Sequence, residues 1–123
     1  MKGLKVPNNY QAVMPYLILK NAESFINFAV QVFDATVTFK EMRDSESIMH
    51  AEISIGSSTV MVADSNTDYE PQNAGLFVYV KDADAAFQLS LELGSEMILE
   101  VSDKPYGRIR DPFGNTWWIT SVL

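Results

Sequence analysis

The chain contains no cysteine and a single histidine, His50, among 123 residues. Without Cys it has no disulfide framework, no thiol nucleophile, no zinc ribbon and no iron–sulfur cluster. With one His it cannot build a two-histidine metal site from its own residues. Positive charge is also scarce. Nine Lys and Arg face sixteen Asp and Glu, a formal charge of −7. That balance argues against nucleic acid and anionic membranes as partners. Long apolar runs are missing too. The longest, residues 12–19, includes Pro15 and is far too short to cross a bilayer. A phosphate-cradling glycine loop and a nucleophile elbow are likewise absent. The expectation is one domain over residues 1–123, soluble and cytoplasmic, with a core that needs no staples.

What is present is an internal repeat. Leu19-Lys20-Asn21-Ala22-Glu23-Ser24 aligns with Val80-Lys81-Asp82-Ala83-Asp84-Ala85. Each copy passes from an apolar run through a cap residue, Asn21 or Asp82, into a helical pattern. Phe25, Phe28, Ala29, Val32 and Phe33 make one apolar helix face; Ala86, Leu89, Ser90 and Leu93 make the other, with Gly94 as the stop. Strand patterns follow each helix, at residues 36–42, 48–55 and 59–63, then at 96–101, 107–110 and 116–122. Over 48–55 the alternation places Met49, Ala51, Ile53 and Ile55 on one face and His50, Glu52 and Ser54 on the other. The segment Asp111-Pro112-Phe113-Gly114-Asn115 reads as a turn. The chain thus divides into two βαβββ modules, 12–64 and 75–123, joined by a polar linker at 65–74.

The duplicated pattern, the segments Pro15-Tyr16-Leu17 and Phe25-Ile26-Asn27-Phe28, the strand Ile48-Met49-His50-Ala51-Glu52, and the Asp111–Asn115 turn with Trp117 resemble the vicinal-oxygen-chelate superfamily. That superfamily includes glyoxalase I, bleomycin-resistance proteins and extradiol dioxygenases. The resemblance implies an α+β fold of two repeated βαβββ modules whose curved mixed sheets form a cleft, and a homodimer. It leaves the module pairing open, within one chain or swapped between two. In metal-using members the first and last strand of each module supply the ligands. Those positions fall on Met14, Val62, Gly75 and Trp118, none of which carries a metal-binding side chain. The resemblance therefore implies no metal and no other cofactor here.

Carried through strand parity, the resemblance proposes a cleft lined by Met14, Tyr16, Val62, Phe77, Tyr79 and Trp118, with Phe113 near its rim. Such an aromatic slot suits a small-molecule ligand. Its competing reading is a filled core or a dimer interface. His50 and Glu52 project together and are expected to orient the ligand; a solvated strand face is the plainer alternative to an acid–base pair. Arg110, and Arg108 beside it, reach the same side; Arg110 suits a carboxylate or an aromatic ring, against an exposed strand pair as the plainer reading. The leading expectation is a metal-free protein binding a small, partly aromatic molecule. The alternatives are a metal-dependent lyase, isomerase or dioxygenase with a site displaced to His50, Glu52 and Asp64, and a structural dimer with a closed cleft.

Overall fold

A computed structural model describes residues 2–101 and 106–122 and, for Tyr106, the backbone alone. The element order is β1 (Tyr16–Leu19), α1 (Ala22–Phe33), β2 (Thr36–Met42), β3 (Ile48–Ile55), β4 (Ser58–Asp64), β5 (Gly75–Val80), α2 (Ala83–Glu92), β6 (Glu96–Leu99), β7 (Tyr106–Arg110) and β8 (Thr116–Ser121). The strands form two four-stranded sheets, ordered β1-β4-β3-β2 and β5-β8-β7-β6. In each, the outer first strand runs parallel to its neighbour and the other pairs are antiparallel. This is the expected α+β architecture of two mixed sheets, each with its helix.

The helices form where the apolar residues recur at helical spacing. Phe25, Phe28, Ala29, Val32 and Phe33 are all buried, as is Ile26. On α2 the buried set is Ala83, Ala86, Phe87 and Ser90, while Leu89 and Leu93 are half-buried. Asp82 caps α2 as expected, accepting the Ala85 N–H at 3.0 Å. Asn21 makes no such side-chain bond. The first N–H of α1, on Ala22, goes instead to Asp64 Oδ1 at the end of β4, 2.9 Å away. The second module repeats the device with Ser121 Oγ at the end of β8, which accepts the Ala83 N–H at 2.8 Å. In both modules the last strand satisfies the orphan donor at the helix start.

The Asp111–Asn115 turn rests on one buried carboxylate. Asp111 accepts hydrogen bonds from the Phe113 and Asn115 backbone N–H groups, from Asn115 Nδ2 and from Trp117 Nε1, at 2.8–2.9 Å. Gly114 takes φ +94°, where any Cβ would be strained and would also meet the Asn73 side chain.

The two modules are joined through their helix-covered faces. Trp117, on the covered face of β8, lies 4.3 Å from Phe33 and 6.5 Å from Phe25 between ring centroids. Phe113 packs edge-on against Phe25 and Phe28. Expected at the rim of a cleft, it belongs to the helix-side core. Leu17, Val62, Ala51 and Ile53 from one sheet and Val78, Ile109 and Ile119 from the other complete a single buried cluster. Aromatic side chains bury about 150–250 Å² each. Truncating one in such a core costs about 3–5 kcal/mol, so the joint between the modules is a strong one. The opposite faces keep Tyr16, Phe77 and Tyr79 exposed.

Two positions break the expected strand parity. Val62 is fully buried and pairs with Leu17 and Ala51, so it faces the helix; Met61 holds the open-face position on β4. The alternation groups Met49 with Ala51 and Ile53, which are buried, but Met49 is exposed and Ile48 is buried in its place. The β2–β3 register jumps there, from Glu41 opposite His50 to Met42 opposite Ile48. The extra residue is a β-bulge, which reverses the faces beyond it.

Candidate functional site

The open face of the first sheet carries a continuous rung. Tyr16 on β1 lies opposite Met61, Met61 opposite Glu52, and Glu52 opposite Phe39. Around Tyr16 and Glu52 of this rung, four polar side chains join end to end. Tyr10 Oη donates to Glu52 Oε1 at 2.6 Å. Glu52 Oε2 lies 2.8 Å from His50 Nε2, and His50 Nδ1 lies 3.0 Å from Tyr16 Oη. The order is Tyr10–Glu52–His50–Tyr16. Glu52 is buried, His50 is half-buried under Phe39 and Tyr16, and Tyr16 is 46% exposed. The array therefore runs from half-buried Tyr10 through buried Glu52 to exposed Tyr16.

The charges follow from this geometry. The Tyr10 hydroxyl, with a smaller effect from His50, holds the Glu52 carboxyl below its ordinary range, against the opposing effect of burial. The same bond pushes the Tyr10 phenol up, because the carboxylate acceptor favours the protonated hydroxyl. Burial raises the Tyr16 phenol, helped by the charges of Glu52 and Tyr69. Glu52 is then ionised and both tyrosines are protonated at neutral pH. Beside Tyr16 opens a hollow of about 450 Å³ lined by Tyr16, Ile18, Arg43, Met49, Ala63 and Tyr69, among others.

The open face of the second sheet is aromatic. Phe77, Trp118 and Arg108 share a rung across β5, β8 and β7. Phe77 and Tyr79 are 54% and 68% exposed, with ring centroids 5.5 Å apart. The Arg108 guanidinium sits 5.8 Å from the Trp118 ring centroid, within cation–π range. Arg110 lies one step along, exposed, opposite Thr116 and Glu96. The arginine that meets an aromatic ring is therefore Arg108. A Cβ at Gly75 would meet the Trp118 ring at 3.2 Å, so the indole would have to give by a few tenths of an ångström.

These positions do not fit a divalent metal. Met14 precedes β1, and its sulfur accepts the Gln11 backbone N–H at 3.4 Å. The β4 position offers the Met61 thioether or the buried Val62, Gly75 has no side chain, and Trp118 has no lone pair to give. A displaced set fares no better. The Asp64 oxygens accept the Ala22 and Ile48 N–H groups, and both Glu52 oxygens are engaged. Among the described residues no three His, Asp or Glu side chains gather as a metal site would require.

The structure thus brings Tyr16, His50 and Glu52 into one array, and Phe77, Tyr79 and Trp118 into one aromatic face on the other sheet. It takes Val62 into the core. Four contributors escaped the sequence pattern. Tyr10 lies before any strand, 42 positions from its partner Glu52. Met49 was hidden by the bulge, and Arg43 and Tyr69 stand in segments without periodicity.

The family model of the Glyoxalase/Bleomycin resistance protein/Dioxygenase superfamily matches residues 11–119. Two curated relatives, the uncharacterized proteins Mb0911c of Mycobacterium bovis and Rv0887c of Mycobacterium tuberculosis, are each 30% identical over 121 residues. The alignments cover 86% of this chain and 80% and 71% of those proteins. Among solved structures, TioX from Micromonospora sp. ML1 matches with a TM-score of 0.71 at 22% identity, covering 92% of this chain and 97% of that one. The fosfomycin resistance protein FosX from Mesorhizobium loti matches with a TM-score of 0.69 at 16% identity, covering 92% of both chains.

The lowered Glu52 pKa sets a pH dependence. Stability gained from ionising Glu52 is present above its ordinary range, about pH 4.3–4.5, and is lost as pH falls through its lower folded value. Tyr10→Phe removes the largest cause of the shift. Carboxyl NMR is expected to show Glu52 titrating at higher pH in the variant. Urea unfolding is expected to show a stability deficit at neutral pH that shrinks toward pH values below the carboxylate range. An unchanged Glu52 titration contradicts this assignment.

Proposed function

The chain belongs to the Glyoxalase/Bleomycin resistance protein/Dioxygenase superfamily, and we propose that within it this protein is a metal-free binder of a small, partly aromatic molecule. One observation carries the reading. At Gly75 and Trp118, where metal-using members are expected to place ligands, there is no donor side chain, and an indole ring packs within 3.2 Å of where a Gly75 Cβ would stand. A coordination site has become a stacking surface. Trp118, Phe77 and Tyr79 supply the flat apolar contact, and Arg108 holds the indole from the far side. Tyr16, His50 and Glu52 on the other sheet supply polar groups that orient the ligand. The charge of −7 favours a neutral or cationic ligand over an anion at long range.

A cleft between these two surfaces needs a second chain in this reading. The α1–Trp117 joint buries the covered faces against each other, and both open faces carry exposed aromatics. In a homodimer the first-sheet face of one chain covers the second-sheet face of its partner, and the ligand lies between them. Light scattering is expected to give twice the chain mass; a monomer at high concentration counts against the paired cleft.

The binding reading is tested with 2-naphthol, a neutral bicyclic aromatic, and the chelator-treated protein. Trp117 is buried while Trp118 is accessible, so a bound ring perturbs the emission of Trp118. The expected result is saturable quenching without added metal, weakened about tenfold by Trp118→Ala, the worth of one aromatic contact. Binding that appears only when a divalent metal is restored overturns the proposal.

A further inference from the structure

The four-residue array on the first sheet holds an asymmetry that the binding role alone does not require. An ionised carboxylate can only accept a hydrogen bond, so Glu52 keeps a proton on His50 Nε2 at 2.8 Å. The other ring nitrogen, Nδ1, faces the Tyr16 hydroxyl at 3.0 Å. When the imidazole is neutral, Nδ1 is a lone pair and Tyr16 must donate its proton inward. When the imidazole is protonated, Nδ1–H donates to Tyr16 Oη, and the phenolic hydrogen is displaced outward. The exposed side of Tyr16 therefore offers only an acceptor in the first state and a donor in the second.

We propose that Tyr16 is a switchable hydrogen-bond donor set by the proton on His50, and that the hollow beside it takes an aromatic carbonyl compound. The proposal rests on the reading of the open faces as ligand surfaces and names the chemical class for this one. The hollow, about 450 Å³, is of a size for a single substituted ring. Ile18, Met49, Ala63 and Tyr69 give it apolar and aromatic walls, and Tyr16 stands at its side. A carbonyl oxygen accepts and cannot donate, so it pairs with Tyr16 only when His50 is charged. The charged and titratable groups around the imidazole are Glu52 on its own strand, Glu41 opposite on β2, Tyr16 on β1 and Tyr10 before it. Arg43, Asp64 and Tyr69 line the hollow itself. The Asp64 oxygens are held by the Ala22 and Ile48 N–H groups, and the Arg43 guanidinium donates to the Asp64 carbonyl. Of these groups, only Tyr16 meets Nδ1 by a hydrogen bond among the described contacts.

His50 is the one histidine of the chain, so its ring signals need no assignment by mutation. The experiment combines ¹⁵N NMR of the imidazole in the full chain with acetophenone titrations near pH 5.5 and near pH 8.5. The neutral ring is expected as the Nε2–H tautomer, and Glu52→Gln is expected to weaken that preference. Acetophenone is expected to bind about five- to tenfold tighter at the lower pH, the worth of one hydrogen bond. Tyr16→Phe is expected to keep the tautomer, because the Glu52 bond remains, and to bind at the weaker affinity at both pH values. A neutral ring protonated on Nδ1, an affinity indifferent to pH or to Tyr16→Phe, or no acetophenone binding overturns the proposal. Quenching of Trp118 by 2-naphthol in the unsubstituted chain is read separately, so failure of the switch is distinguishable from failure of the binding role.

Discussion

The contact of Trp117 with Phe25 and Phe33 decides what each sheet can do. It welds the helix-covered faces of the two modules into one core, with Phe113 closing its edge. A module of this size cannot bury both faces of its sheet alone. One face therefore goes to the shared core, and the other stays open. The polar support sits where this joint needs it. Asp111 fixes the turn that presents both Phe113 and Trp117, and it spends all its acceptor capacity doing so. Asp64 and Ser121 tie each helix start to the last strand of its own module. The open faces are free of such structural duties, which is why their composition is informative.

The two open faces divide the chemistry between them. One is flat and aromatic, with Trp118 packed into the space beside Gly75 and backed by Arg108. The other is a polar relay from the Tyr10 phenol through the buried Glu52 carboxylate and His50 to the exposed Tyr16 phenol. Neither arrangement gathers the hard donors that a divalent ion needs. Both arrangements suit a small organic molecule with a ring and one or two polar atoms.

Much of this was legible in the sequence, for physical reasons that also explain the failures. The helices and the module repeat were readable because Phe25 to Phe33 and Ala86 to Leu93 keep helical spacing, and core burial enforces that spacing. Strand parity carried Tyr16, Phe77, Tyr79 and Trp118 to the open faces correctly. It failed at Val62, where the alignment slipped by one residue and so crossed to the helix side. It failed at Met49 because a bulge leaves no mark in a run of apolar residues. Asn21 has the composition of a cap, but Asp64 reaches the helix start first from a strand far along the chain. Tyr10 and Tyr69 were invisible because contacts across tens of residues from irregular segments have no period to betray them.

The central claim is that aromatic packing has replaced metal coordination in this member of the superfamily. Isothermal titration of the chelator-treated, exhaustively dialysed protein with Ni²⁺, Zn²⁺ and Mn²⁺ tests it most directly. No saturable stoichiometric binding by any of the three is expected. One tight equivalent per chain, abolished by substitution at Gly75 or Trp118, would contradict it.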